Sequence, residues 1–148
     1  MSNRGAVPFE VTLEVRDGCL CLHLQRAARA VARRFDEALR PVGLTSGQFS
    51  LLMSLNRPEP PRIVSVATLL AMDRTTLTAN LKPLKRRGLV RVVVDVEDRR
   101  GRRLRLTPAG RAALAAAVPV WRRTQVEMGR LLERSDPDRL RADLCALS

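Results

Sequence analysis

Residues 73–111, DRTTLTANLKPLKRRGLVRVVVDVEDRRGRRLRLTPAGR, constrain this chain more than any other stretch. Asp73 offers a capping side chain to a helix over about residues 74–87, with Leu77, Leu81 and Leu84 at its inward positions. Gly88 provides a left-handed stop. Leu89–Val94 is β-branched and strand-like, Asp95–Gly101 is a tight charged turn, and Arg103–Leu106 alternates basic and apolar residues as a returning strand. Thr107-Pro108 then opens another helix, a capping hydroxyl followed by proline at the first helical position. One departure from ideality stands out. Pro83 falls inside the first of these helices, where it removes the hydrogen bond to the Ala79 carbonyl and should bend the helix, at a cost of about 3 kcal/mol in isolation.

The same span carries twelve Arg or Lys against four acids, a net +8 of the chain's +12. A compact unit with most of the excess positive charge suits a duplex phosphate backbone. The unit therefore reads as the DNA-contacting half of a winged helix-turn-helix. Its recognition helix would lead into the major groove with its N-terminal half, where Arg74, Thr75, Thr76, Thr78 and Asn80 lie. Arg forks onto guanine, Asn pairs with adenine and Thr serves either, so these are base-edge or phosphate candidates. The plainer alternative is a solvated face with Asp73 and the threonines only capping. Lys82, Lys85, Arg86 and Arg87 suit phosphate neutralisation better than sequence reading. Arg99, Arg100, Arg102 and Arg103 on the wing would reach the adjacent minor groove.

With 148 residues the chain makes one ordinary domain, and 45% hydrophobic content supports a core. Three Phe, one Trp and no Tyr argue against an aromatic-rich β-fold. The basic residues are 25 Arg and two Lys, a bias that suits DNA but that a GC-rich genome would also write. Cys19, Cys21 and Cys145 lack ligand-type spacing, so no metal or other cofactor is expected. A single His and the lack of a nucleophile–base motif argue against an enzyme. No signal pattern opens the chain, and its longest apolar run, 112–121, is too short for a bilayer. A reducing cytoplasm, with no membrane partner, is the expected setting.

The flanks are helical. Residues 1–18 are expected to be an N-terminal arm, ordered only if it docks. From Cys19, the residues Leu20, Leu24, Ala27, Val31, Phe35 and Leu39 recur at three- and four-residue steps, ending at Pro41 and Gly43. Thr45 and Gln48 form a capping box for a second helix carrying Phe49, Leu52, Met53 and Leu55. RPEPPR (57–62) is a stiff loop before a short helix of about residues 63–70. After the wing, a helix over about 108–133 carries Leu114, Val118, Trp121, Gln125, Met128 and Leu132, a seam for a partner helix, with a kink expected at Pro119. Ser135 or Asp136 begins a terminal helix with Leu140, Leu144 and Leu147. These apolar faces exceed what a small core can cover, so a homodimer sealed by both chain ends is expected. The expected fold is mainly α with a small β-wing (α+β). Residues 45–107 form the winged helix-turn-helix, and 19–44 with 108–148 form a helical dimerisation region.

From about residue 19 to the C-terminus the chain resembles a MarR-type transcriptional regulator, most strongly over DRTTLTANLKPLKRRGLV (73–90) and DRRGRRLRLTPAG (98–110). The resemblance implies a dimer that binds a pseudo-palindromic operator, usually as a repressor. It implies release by a small anionic, often aromatic, effector or by an oxidant. Asp98 and Arg100 match the family's pair that braces the wing. Two positions depart from the pattern: Ala71 stands where a turn glycine is usual, and Arg62 where a Thr or Ser cap is usual. His23, Arg26, Phe49, Met53 and Trp121 are candidates for the effector crevice, although a lone His or Trp on a helix is more often core. The stripe of Arg26, Arg29 and Arg33 would hold an acidic effector or form a solvated face. A subgroup of the family senses hydroperoxides through a cysteine at the start of its first helix, near Cys21. A thiol at a helix N-terminus among arginines is open to oxidation. The tyrosines of that subgroup are absent, and packing is the commoner role for Cys19 and Cys21. The alternatives to an effector-responsive regulator are thus a thiol-based sensor and a winged helix that binds nucleic acid without regard to sequence.

Overall fold

The computed structural model describes residues 5–148. Among them seven α-helices and one two-stranded antiparallel sheet follow in the order α1 (Phe9–Gly18), α2 (Leu20–Leu39), α3 (Ser46–Ser54), α4 (Ile63–Leu69), α5 (Arg74–Arg86), β1 (Val90–Val94), β2 (Arg102–Leu106), α6 (Pro108–Gly129) and α7 (Pro137–Ala146). The chain is mostly helical with a small β-wing, as expected.

Local chemistry sets most boundaries. The Thr45 hydroxyl accepts from the Gln48 amide while the Gln48 side chain accepts from the Thr45 amide, a reciprocal box that starts α3. Asp73 accepts from the Thr76 amide at 2.7 Å and starts α5, and Thr107 accepts from the Gly110 amide at 3.0 Å and starts α6. Asp136, rather than Ser135, caps α7. A 3₁₀ turn (Arg40–Val42) and Gly43, at φ 73°, close α2.

Three sequence expectations need correction. Residues Phe9–Gly18 of the expected arm are a helix. Phe9 and Leu13, and Val11 and Val15, stand four apart and share faces of α1. The long helix α6 stops at Gly129 instead of about 133. Its seam is also partly internal. Leu114 is buried within this chain, and Val118 and Trp121 pack against the same core. Neither proline ends its helix: α5 runs through Pro83 and α6 through Pro119.

The core lies between the end of α2, α3, α4, α5 and the inner face of the hairpin, where Leu39, Leu51, Leu52, Val66, Leu77, Leu84 and Leu104 are fully buried. The strands pair from Val90↔Leu106 to Val94↔Arg102. Alongside β2 the 57–62 loop adds a further rung, with an Arg62↔Arg103 bridge and the Leu104 amide donating to the Pro61 carbonyl at 2.9 Å. At the hairpin base the Thr107 amide donates to the Leu89 carbonyl, and a Cβ on Gly110 would lie 2.1 Å from that oxygen. Only glycine fits there, which explains the Leu-Thr-x-x-Gly spacing after the wing.

Candidate nucleic-acid interface

Leu77, Leu81 and Leu84 point one face of α5 into the core, so helical periodicity turns Arg74, Thr75, Thr78, Asn80, Lys82 and Lys85 outward. The structure divides the recognition-helix candidates by what their side chains already hold. The Thr76 hydroxyl donates to Asp73 at 2.9 Å, and the Thr78 hydroxyl donates to the Arg74 carbonyl at 2.8 Å. Both therefore serve the helix first. The Thr76 amide, then its hydroxyl, holds the Asp73 carboxyl below the usual carboxylate range. Asn80 makes only a long contact of 3.7 Å to the Met72 sulfur. Arg74, Thr75, Lys82 and Lys85 have no side-chain hydrogen bond or ion pair among the described residues, so their donors are free for a ligand.

On the wing the tip is a four-residue turn with Asp98 first and Gly101 last, closed by the Gly101 amide donating to the Asp98 carbonyl at 2.8 Å. The Asp98 carboxylate accepts the Arg100 backbone amide at 3.1 Å. It makes no ion pair with the Arg100 guanidinium, so the expected Asp98–Arg100 brace is a backbone turn and not a side-chain pair. The brace lies one turn inward, at Asp95. This carboxylate is fully buried, and it accepts from Arg62 Nε at 2.9 Å, Arg103 Nε at 3.1 Å and the Glu97 amide at 3.1 Å. Burial pushes the Asp95 carboxyl up, but the Glu97 amide, the Arg103 hydrogen bond and charge, and the charge of Arg62 outweigh it. The carboxyl ends below its usual range.

Arg103 also donates to the Pro60 carbonyl at 2.9 Å. Its guanidinium is thus held within the fold, unlike those of the wing tip expected with it at the minor groove. Arg102 folds back onto the Arg99 and Gly101 carbonyls at 3.1 Å. Arg99 and Arg100 stay exposed with unpaired guanidinium groups among the described residues. The sequence pattern missed Arg62 and Asp95, since their pairing joins positions 33 residues apart. The only local hint was an acid directly after a β-branched run. Arg62 also explains its own departure from the usual cap: it flanks α4 without a capping bond and spends its side chain on the wing.

The two elements share one surface. A notch of about 190 Å³ between the start of α5 and the wing is lined by Arg62, Arg74, Arg100 and Arg102, with Asp98 and Val64. Of the four arginines that line it, Arg62 and Arg102 are held within the fold, and Arg74 and Arg100 have no partner among the described residues.

A second concavity, of about 510 Å³, lies between α2, α3 and α6. Phe49 and Trp121 line it, with ring centroids 6.1 Å apart and planes at 20°. His23 and Arg26 do not reach it. They line a separate groove on α2 with Arg29 and Arg33, and Met53 lines neither. The sequence missed Val31, Phe35, Leu70 and Met72 as crevice residues. Cys19 caps α2, its sulfur accepting from the Leu22 amide at 3.4 Å, and Cys21 is exposed. No group of His, Cys, Asp or Glu suited to a metal was found among the described residues. No helix there is long and apolar enough to cross a membrane.

A capped helix and an arginine-tipped hairpin on one face define a winged-helix DNA-binding protein. The MarR family model matches residues 44–101. The DNA-bound Mycobacterium tuberculosis transcriptional regulator MosR is 42% identical, at 87% coverage of this chain and 92% of that one, with a TM-score of 0.79. The repressor NicR of Pseudomonas putida is 34% identical over 127 residues, which are 84% of this chain and 76% of that protein. Bordetella bronchiseptica BpsR, whose DNA binding is regulated by 6-hydroxynicotinic acid, is 26% identical with a TM-score of 0.74, covering 97% of this chain and 95% of that one. Two other curated regulators match over 62% and 54% of their own length. The chain belongs to the MarR family, and these relatives are transcriptional regulators, not enzymes.

Proposed function

We propose that this chain is a sequence-specific transcriptional repressor in the cytoplasm that binds a pseudo-palindromic operator as a homodimer and lets go when a small effector enters the α2–α3–α6 crevice. The observation that carries the DNA reading is the notch that Arg74 of the recognition helix and Arg100 of the wing line together, neither with a partner among the described residues, because it joins helix and wing into one phosphate-seeking face. The dimer rests on α1 and α7, neither of which buries a residue within the chain, while Phe9, Val15, Leu144 and Leu147 are left exposed. In that dimer α1 joins residues 19–44 and 108–148 in the twofold contact, and residues 45–107 supply the DNA contact. The two recognition helices are then placed about one turn of DNA apart, ~34 Å. An effector shifts that spacing only as far as its affinities for the two states differ.

Selection of random duplexes with the purified protein tests the reading. An inverted repeat with half-sites about one turn apart is the expected result. Recovery of unrelated sequences, bound equally well at fixed salt, would leave the non-specific binder instead.

A second reading, a thiol-based sensor, is supported by Cys19 capping α2 through its sulfur with exposed Cys21 two residues away. It requires that peroxide release the selected duplex from the native protein and not from Cys19→Ser or Cys21→Ser.

A further inference from the structure

The effector crevice has a property that its place in the fold does not dictate. Among the described residues, none of the side chains lining it is Arg, Lys or His. The surface is built from Phe35, Phe49, Trp121, Val31, Leu70 and Met72, with polar groups only from Ser46, Ser50 and Gln125. A carboxylate stands beside it, bonded to the lining residue Ser46. Asp36 accepts the Ser46 amide at 2.6 Å, and that amide, then the Ser46 hydroxyl, holds its carboxyl below the usual range, so it is ionised at neutral pH.

The arginines of α2 cannot make good the lack. Crevice positions 28, 31, 32 and 35 cluster on one side of the helix, and at 3.6 residues per turn Arg26, Arg29, Arg33 and Arg34 lie roughly 110–170° from the centre of that side. Arg26, Arg29 and Arg33 line the separate groove with His23.

We propose that this crevice selects flat aromatic molecules that carry no negative charge, a ligand class that rests on its reading as the effector site. A buried carboxylate there would meet no counter-charge and would lie near Asp36, whereas a ring stacks against the Phe49–Trp121 pair. A single hydroxyl or amide on the ligand finds Ser50 and Gln125, whose side chains make no hydrogen bond of their own among the described residues. The volume of about 510 Å³ accommodates a two-ring molecule.

Trp121 is the only tryptophan in the chain and stands in the crevice wall, so its fluorescence reports occupancy directly. The full chain is titrated with 2-naphthol, uncharged at neutral pH, and with 2-naphthoate, its carboxylate counterpart. Saturable quenching by 2-naphthol at a Kd at least about tenfold below that of 2-naphthoate is expected. Ser50→Arg, an exposed position on the crevice rim, should reverse the order. Equal or tighter binding of 2-naphthoate to the native chain overturns the proposal, as does quenching by neither compound or a preference that Ser50→Arg leaves unchanged. The affinity of the selected duplex is measured in parallel. If 2-naphthol fills the crevice without weakening DNA binding, the effector reading fails while the ligand class stands.

Discussion

Gly110 sits so close to the Leu89 carbonyl that any Cβ would overlap it, and the contact is backbone, which cannot swing aside. Gly110→Ala should cost about 2–3 kcal/mol by overpacking and visibly lower the thermal midpoint. Ala71 poses the opposite case. It adopts φ 51°, in the left-handed region, between α4 and α5. That conformation costs a non-glycine residue roughly 1–2 kcal/mol, while glycine adds about 0.4–1 kcal/mol of unfolded-state entropy to be lost. The strain is larger, so Ala71→Gly should raise stability by roughly 0.5–1 kcal/mol in urea unfolding. Asp95 sets a pH dependence. Its folded-state carboxyl lies below the ordinary carboxylate value, so its contribution is whole above that value and is lost as pH falls through the folded one. Asp95→Asn should lower the thermal midpoint at neutral pH and flatten its decline in acid. An unchanged acid slope would mean that other carboxylates, such as Asp36 and Asp73, carry the effect.

At the scale of elements, the wing and α5 divide their labour. Arg99 and Arg100 are exposed and, among the described residues, unpaired, whereas Arg103 is held by Asp95 and Pro60. Arg99→Ala with Arg100→Ala should therefore weaken binding to all duplexes and reduce the salt slope by about 2, with the fold intact by circular dichroism. Arg74→Ala should instead cost about 1–3 kcal/mol on the selected site and little on random DNA, provided that its guanidinium reads a base edge. Helix starts were legible from sequence because a cap is a local bond: Thr45, Asp73 and Thr107 each accept from an amide three residues on. The wing's strands were legible for the same reason. The brace was misread, because Asp98 and Asp95 look alike in a charged turn and only the path of the 57–62 loop brings Arg62 to the second.

The whole molecule leaves α1 and α7 unpacked against its own core. Deleting residues 137–148 should shift sedimentation from dimer towards monomer and weaken operator binding, since each half-site alone offers half the contacts. What the sequence by itself determined is the order of helices, their caps and the basic hairpin, because periodicity and capping act within a few residues. It also located the outward polar face of α5, since Leu77, Leu81 and Leu84 could only be its inner one. Tertiary structure alone decided which charges are free and which are spent, and which faces of α2 share a cavity. Helical phase puts His23 and Arg26 on a different side of α2 from Ala28, Val31, Ala32 and Phe35, but which of those sides meets Phe49 and Trp121 is decided by the packing of α2 on α3 and α6. That choice is set by contacts between distant segments, and no run of neighbouring residues encodes it.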